Sequence, residues 1–111
     1  MNNLMTIGGQ QAVISFDPDI NMFRGEFVGL ASGGADFYAV DVDGLLREGE
    51  TSLRVYLDMC KEDGVEPFRS FSGKFNVRIT PALHAACTAA AESSGKSLNQ
   101  WVAETLQEAM A

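Results

Sequence analysis

The stretch that most constrains this chain runs Lys74-Phe75-Asn76-Val77-Arg78-Ile79-Thr80-Pro81. Phe75, Val77 and Ile79 alternate with Lys74, Asn76 and Arg78. Successive side chains of a strand point to opposite faces. One face is therefore apolar, and the other carries a lysine, an asparagine and an arginine. These side-chain types suit the base edges of a DNA major groove, Arg or Lys to guanine and Asn to adenine. The strand runs into two helices, Pro81 to Ser94 and Ser97 to about Met110. No second strand follows in the C-terminal third, so the simplest partner is the same strand of a second chain. The plainer alternative is an amphipathic strand followed by two packing helices.

Between about Phe75 and Leu106 the pattern resembles the ribbon-helix-helix family of bacterial DNA-binding proteins, which includes the Arc and MetJ repressors. The resemblance rests on the alternating strand, on Pro81 opening the first helix, and on Gly95-Lys96-Ser97-Leu98-Asn99-Gln100-Trp101 at the second. In that family two strands from two chains pair antiparallel and enter the major groove. The resemblance implies that Lys74, Asn76 and Arg78 contact bases and that Lys96, Ser97 and Asn99 contact phosphates. Ser97 is a good N-cap, and the free amides of a helix start favour an anion.

Leu98, Trp101, Val102, Thr105, Leu106 and Ala109 keep three- and four-residue spacing on the second helix. With Leu83, Ala86, Cys87 and Ala90 of the first they form one apolar face. A helix pair this small buries too little surface to close a core alone. Phe75, Val77, Ile79, Leu98, Trp101, Val102 and Leu106 are therefore expected in the core of a dimer. The alanines of the first helix allow close helix approach.

Charge is unevenly placed. The chain has 8 Lys+Arg and 15 Asp+Glu, for a net −7. Residues 1–70 hold 12 acidic and 5 basic side chains, while residues 71–111 hold three of each. All of the excess acidity belongs to the first part. A neutral DNA reader with an acidic companion fits two partners better than one: DNA at the second part, a basic protein at the first. Simple solubility is the bland explanation of an acidic surface. Cys60 and Cys87 lack metal-ligand spacing and read as reduced thiols within helices. No basic residue precedes an apolar run in Met1–Gln10, so no signal peptide is visible. No stretch reaches the roughly 20 apolar residues of a membrane helix. The cytoplasm is the expected location.

The first part reads as β-β-β-α, which with the second makes an α+β chain. Ala12–Phe16 and Met22–Leu30 form a hairpin about the turn residues Asp17-Pro18-Asp19-Ile20-Asn21. Ala31-Ser32-Gly33-Gly34 is a loop, and Asp36–Val40 is a third strand. Asp41 or Asp43 caps a helix that runs to about Asp63, and Gly64 stops it. Val42, Leu45, Leu46, Leu53, Tyr56, Leu57 and Cys60 give that helix an apolar stripe. Gly44 and Gly49 weaken it by roughly 1 kcal/mol each against alanine. Residues 1–66 are thus expected as one domain, 67–72 as a linker and 73–111 as a second domain.

This order resembles the HicB family of type II antitoxins. The segments that carry it are Asp17–Gly25, Tyr56–Gly64, Phe71-Ser72-Gly73-Lys74-Phe75-Asn76-Val77-Arg78 and Gly95–Trp101. The resemblance implies a degenerate, partial RNase H-like first domain that binds a HicA-type toxin, an RNA-cleaving enzyme. It also implies a second domain that dimerises, or builds a tetramer, and represses its own operon at operator DNA. Asp17, Asp19, Asp41 and Asp43 are the expected toxin-facing residues. Gly49 departs from the pattern, where a larger apolar residue is expected, as does the Gly33-Gly34 loop. The alternative is a ribbon-helix-helix regulator whose first domain binds another protein or a small ligand.

Catalysis is not expected. A nuclease of RNase H type needs clustered carboxylates around two metal ions. Asp17, Asp19, Glu26, Asp36, Asp41 and Asp43 supply acids, but at turn and cap positions for the most part. His84, the single histidine, stands far in sequence from any nucleophile. Gly8-Gly9 and Gly33-Gly34 are too short to be phosphate loops. No cofactor is implied.

Overall fold

The computed structural model describes residues 3–33 and 35–111. Gly34, in the loop expected at Ala31–Gly34, and Met1 and Asn2, at the start of the segment searched for a signal peptide, lie outside the described residues. The chain is α+β and divides into two compact units, Met1–Ser72 and Gly73–Ala111.

The first unit is a four-stranded antiparallel sheet in the order β1-β2-β3-β4: β1 Leu4–Ile7, β2 Gln10–Asp17, β3 Met22–Phe27 and β4 Phe37–Ala39. A long helix, α1 (Val42–Asp63), follows. Three strands were expected, so β1 is an addition. It pairs with β2 from Leu4↔Val13 to Ile7↔Gln10. Gly8 and Gly9 join the two with φ of 57° and 79°. Two adjacent positive-φ residues are what a tight hairpin between right-twisted strands requires. The two glycines therefore serve as a turn.

β2 and β3 pair through Ile14↔Gly25 and Phe16↔Phe23, and β3 meets β4 at Phe23↔Ala39 and Gly25↔Phe37. One sheet face presents Ile7, Ala12, Phe27, Phe37 and Ala39, all buried with Leu45, Leu53, Tyr56 and Cys60 of α1 in one core. Asp41 caps α1, its Oδ1 accepting from the Gly44 amide at 2.7 Å. Gly64 ends it in the left-handed conformation.

Gly49 explains the smaller residue found where a larger one was expected. A Cβ there would lie 2.4 Å from Ile7 Cδ1 and 3.2 Å from the Phe37 ring. The glycine lets α1 lie directly on the sheet, and that close approach offsets its poor helix propensity.

The segment expected as a linker is held against this unit. Phe68 bridges to Leu30, the Ala31 amide donates to Pro67 O at 2.9 Å, and the Arg69 amide donates to Gly29 O at 2.8 Å. Tyr56, 3% exposed, donates its hydroxyl to Pro67 O at 2.8 Å and accepts from the Ser32 amide at 3.2 Å. The break between the compact units falls after Ser72.

The second unit holds α2 (Pro81–Ser93) and α3 (Leu98–Ala109). Thr80 caps α2 through Oγ1, which accepts from the Leu83 amide at 3.2 Å, and Pro81 occupies the first turn, where no donor is needed. Gly95, with φ of 69°, turns the chain toward α3.

Candidate nucleic-acid interface and partner surface

In the second unit, residues 74–79 form no strand within the single chain. A ladder needs a second strand, and among the described residues none of the four named ladder strands lies in this unit. Lys74, Asn76 and Arg78 are exposed. So are Phe75 at 74%, Val77 at 65% and Ile79 at 41%. The core expected around them is likewise open in one chain. Ala91 is the single buried residue among the described positions of α2 and α3. Leu98, Trp101 and Val102 are half-buried, and Leu106 is 47% exposed.

The expected phosphate contacts sit at the α2–α3 turn. Ser97 caps α3, its Oγ accepting from the Gln100 amide at 3.1 Å. Asn99 is exposed in the first turn. Lys96 forms an ion pair with Glu104, whose other carboxylate oxygen accepts from Gln100 Nε2 at 3.4 Å. The hydrogen bond from Lys96 holds the Glu104 carboxyl below its usual range. Glu104 is a neighbour that the sequence reading missed. It lies eight residues from Lys96, two helical turns along, and only the turn at Gly95 brings the two together.

In the first unit, the four expected toxin-facing carboxylates gather at one end of the sheet. Asp17 ends β2, and Asp19 stands in the turn, its amide donating to Asp17 Oδ1 at 3.0 Å. Because Phe23 pairs with Ala39, the start of β3 lies beside the end of β4, which leads to Asp41 and Asp43 at the start of α1. Glu26 and Asp36 are elsewhere. They lie around Arg24, on the sheet face away from the core, at 3.0 Å and 2.5 Å. The hydrogen bond to Asp36 raises the Arg24 pKa.

Among the described residues no group of three or more His, Cys, Asp or Glu could hold a metal ion. His84 is exposed on α2, where its carbonyl accepts from Thr88 Oγ1 at 3.0 Å. Cys60 is buried, Cys87 is half-buried, and both are free thiols. No helix among the described residues is long and apolar enough to cross a membrane.

A model of the HicB family matches residues 56–106, from Tyr56 in α1 through residues 74–79 and α2 to Leu106 in α3. No curated protein matches the chain, and no solved structure does. The matched stretch, just under half of the chain, is similar to the HicB family.

Proposed function

We propose that this chain is an antitoxin that masks a HicA-type RNA-cleaving toxin through its first unit and represses its own operon through its second. Its action is binding, without catalysis. The second unit is read as a ribbon-helix-helix domain. The observation that carries this reading is the alternating segment inside the HicB match, with Phe75, Val77 and Ile79 exposed in one chain. Large apolar side chains in a row at 74%, 65% and 41% exposure call for cover. An antiparallel partner strand from a second copy covers them and turns Lys74, Asn76 and Arg78 outward together. A two-stranded ribbon of this kind fits a major groove.

The first unit is read as the reduced RNase H-like toxin-binding domain. Its four gathered carboxylates suit a protein that must hold RNA phosphates on a basic surface. The HicB match begins only at Tyr56, which favours one second reading: a ribbon-helix-helix regulator whose sheet domain serves another protein or a small ligand.

The test joins two assays. In gel shifts the full chain should retard the DNA upstream of its own gene. In cells it should restore growth arrested by a co-expressed HicA-type toxin. Retardation without rescue selects the second reading. Failure of both assays removes both readings.

A further inference from the structure

The strap that follows α1, residues 65–72, is fixed to the first unit as far as Arg69. The Arg69 amide donates to Gly29 O at 2.8 Å, and its Nη1 donates to Val28 O at 3.1 Å. The guanidinium also stands 5.2 Å from the centroid of the Phe71 ring. Lys74, the first expected base reader, follows Arg69 by five residue steps. Five extended steps span at most about 18 Å, whatever path the chain takes. Residues 1–70 carry 12 acidic against 5 basic side chains. Glu62, Asp63 and Glu66 are exposed where α1 ends and the strap begins, and Lys61 and Arg69 offset part of their charge. Asp17, Asp19 and Asp43 belong to the other end of the unit. Asp17 pairs with Met22, and β3 leads from there toward Gly29, roughly 20 Å along an extended chain. α1 likewise carries the chain about 30 Å from Asp43 to Asp63.

We propose that the acidic first unit, kept within the short reach of the strap, is an electrostatic brake on DNA binding. The proposal rests on the DNA-binding reading of the second unit and adds a control that lies outside that unit. Affinity that does not depend on sequence comes from neutralising phosphates. Residues 71–111 hold three acidic and three basic side chains, so they bring no surplus of positive charge to outweigh a repulsion. The Debye length is about 10 Å at 0.1 M salt and about 30 Å at 0.01 M. Carboxylates beside the strap therefore act on a duplex held at Lys74, while those at the far end are largely screened at 0.1 M. A dimer brings two such units to one site. If residues 65–72 were free, each unit could drift out of range; the bonds at Arg69 prevent that. DNA that offers only phosphates is then held weakly, and the base contacts of the operator must carry binding.

The experiment measures Kd of the full chain by fluorescence anisotropy on two duplexes, one from upstream of its own gene and one unrelated, over a range of salt. Circular dichroism checks that every variant folds. Glu62→Gln with Asp63→Asn and Glu66→Gln should raise affinity for both duplexes on the order of threefold or more at about 0.1 M salt. The gain should fade as salt rises, so this variant loses affinity with salt more steeply than the wild type. Asp17→Asn with Asp19→Asn and Asp43→Asn removes the same charge at the far end and should stay within about twofold. An insertion of about 20 Gly and Ser residues after Ser72, which spans roughly 25 Å on average, should raise affinity without changing any charge. Equal gains from the two charge sets would mean that net charge acts without the strap, and would overturn the proposal. A wild-type chain that binds DNA, with no gain from the near set or the insertion, would remove the brake and leave the DNA reading standing. No binding by the wild type or by any variant at any salt concentration removes the DNA reading itself, and the brake with it.

Discussion

Phe37 lies across the β3–β4 pair with its ring over Gly25. A Cβ on residue 25 would fall 2.1 Å from the ring, so the aromatic occupies the space that a side chain would take. The same ring packs against Phe27 at 5.2 Å between centroids and limits the space at Gly49 on α1. One aromatic thus joins β3 and β4 to the helix, and two glycines make the room.

Gly25→Ala and Gly49→Ala should therefore both destabilise the first unit, although alanine improves helix propensity at position 49. The cost expected of forced overpacking is about 1–3 kcal/mol each. Residue 25 should suffer more, because its clash is with a ring held on both sides. Urea denaturation followed by circular dichroism measures this. A gain in stability from Gly49→Ala would mean that α1 can lift from the sheet at little cost.

Tyr56→Phe tests the strap that follows α1. The buried hydroxyl joins the Ser32 amide to Pro67 O, and its loss leaves both backbone groups seeking partners. The expected cost is about 1–3 kcal/mol. Hydrogen exchange at the Ala31 and Arg69 amides, which donate across the same strap, should quicken together. Unchanged exchange there would show that the strap does not depend on the tyrosine.

The helices were legible from local chemistry. Asp41 and Ser97 accept from first-turn amides, the Gly64 amide donates to last-turn carbonyls, and Pro81 stands at a helix start where no donor is needed. β1 was missed because Leu4-Met5-Thr6-Ile7 is short and only weakly alternating. The Gly8-Gly9 pair after it was the available signal, since adjacent glycines between short apolar runs mark a hairpin. Gly49 could be read only as a weak point in a helix. Its value lies in the distance to Ile7 and Phe37, which no local pattern encodes. The gathering of Asp17, Asp19, Asp41 and Asp43 depends on strand register and was not visible from spacing. Residues 74–79 are a different case. Their alternation is plain in sequence, yet a single chain supplies no second strand, so their pairing is a property of an assembly.

Self-association should depend on that segment. Phe75→Ser with Val77→Ser should shift the full chain from dimer toward monomer in sedimentation, because these residues would be covered only by a second copy. Trp101→Ala should act in the same direction by opening the α2–α3 face. The first unit should keep its own unfolding transition in every variant, since its core is built from Ile7 to Cys60. A wild-type chain that stays monomeric at high micromolar concentration would overturn the ribbon assignment.

Lys96 and Glu104 set the last expectation. At neutral pH Glu104 is ionised and holds Lys96, so the pair competes with any DNA phosphate for the lysine. Glu104→Gln should release Lys96, strengthen binding to all DNA sequences alike and steepen the salt dependence by about one unit of slope. Lys96→Ala should do the reverse. Arg78→Ala and Asn76→Ala should instead cost roughly 1–3 kcal/mol on the operator and relax base preference. The pH sign follows from the lowered Glu104 pKa. The pair's contribution is fully present above the ordinary glutamate value of about 4.3 and is lost as pH falls through the lower folded value. In a titration followed by NMR, the Glu104 midpoint should therefore rise toward the ordinary value in Lys96→Ala. If Glu104→Gln binds DNA with wild-type affinity and slope, Lys96 meets no phosphate, and the contact at the start of α3 falls to Ser97 and Asn99.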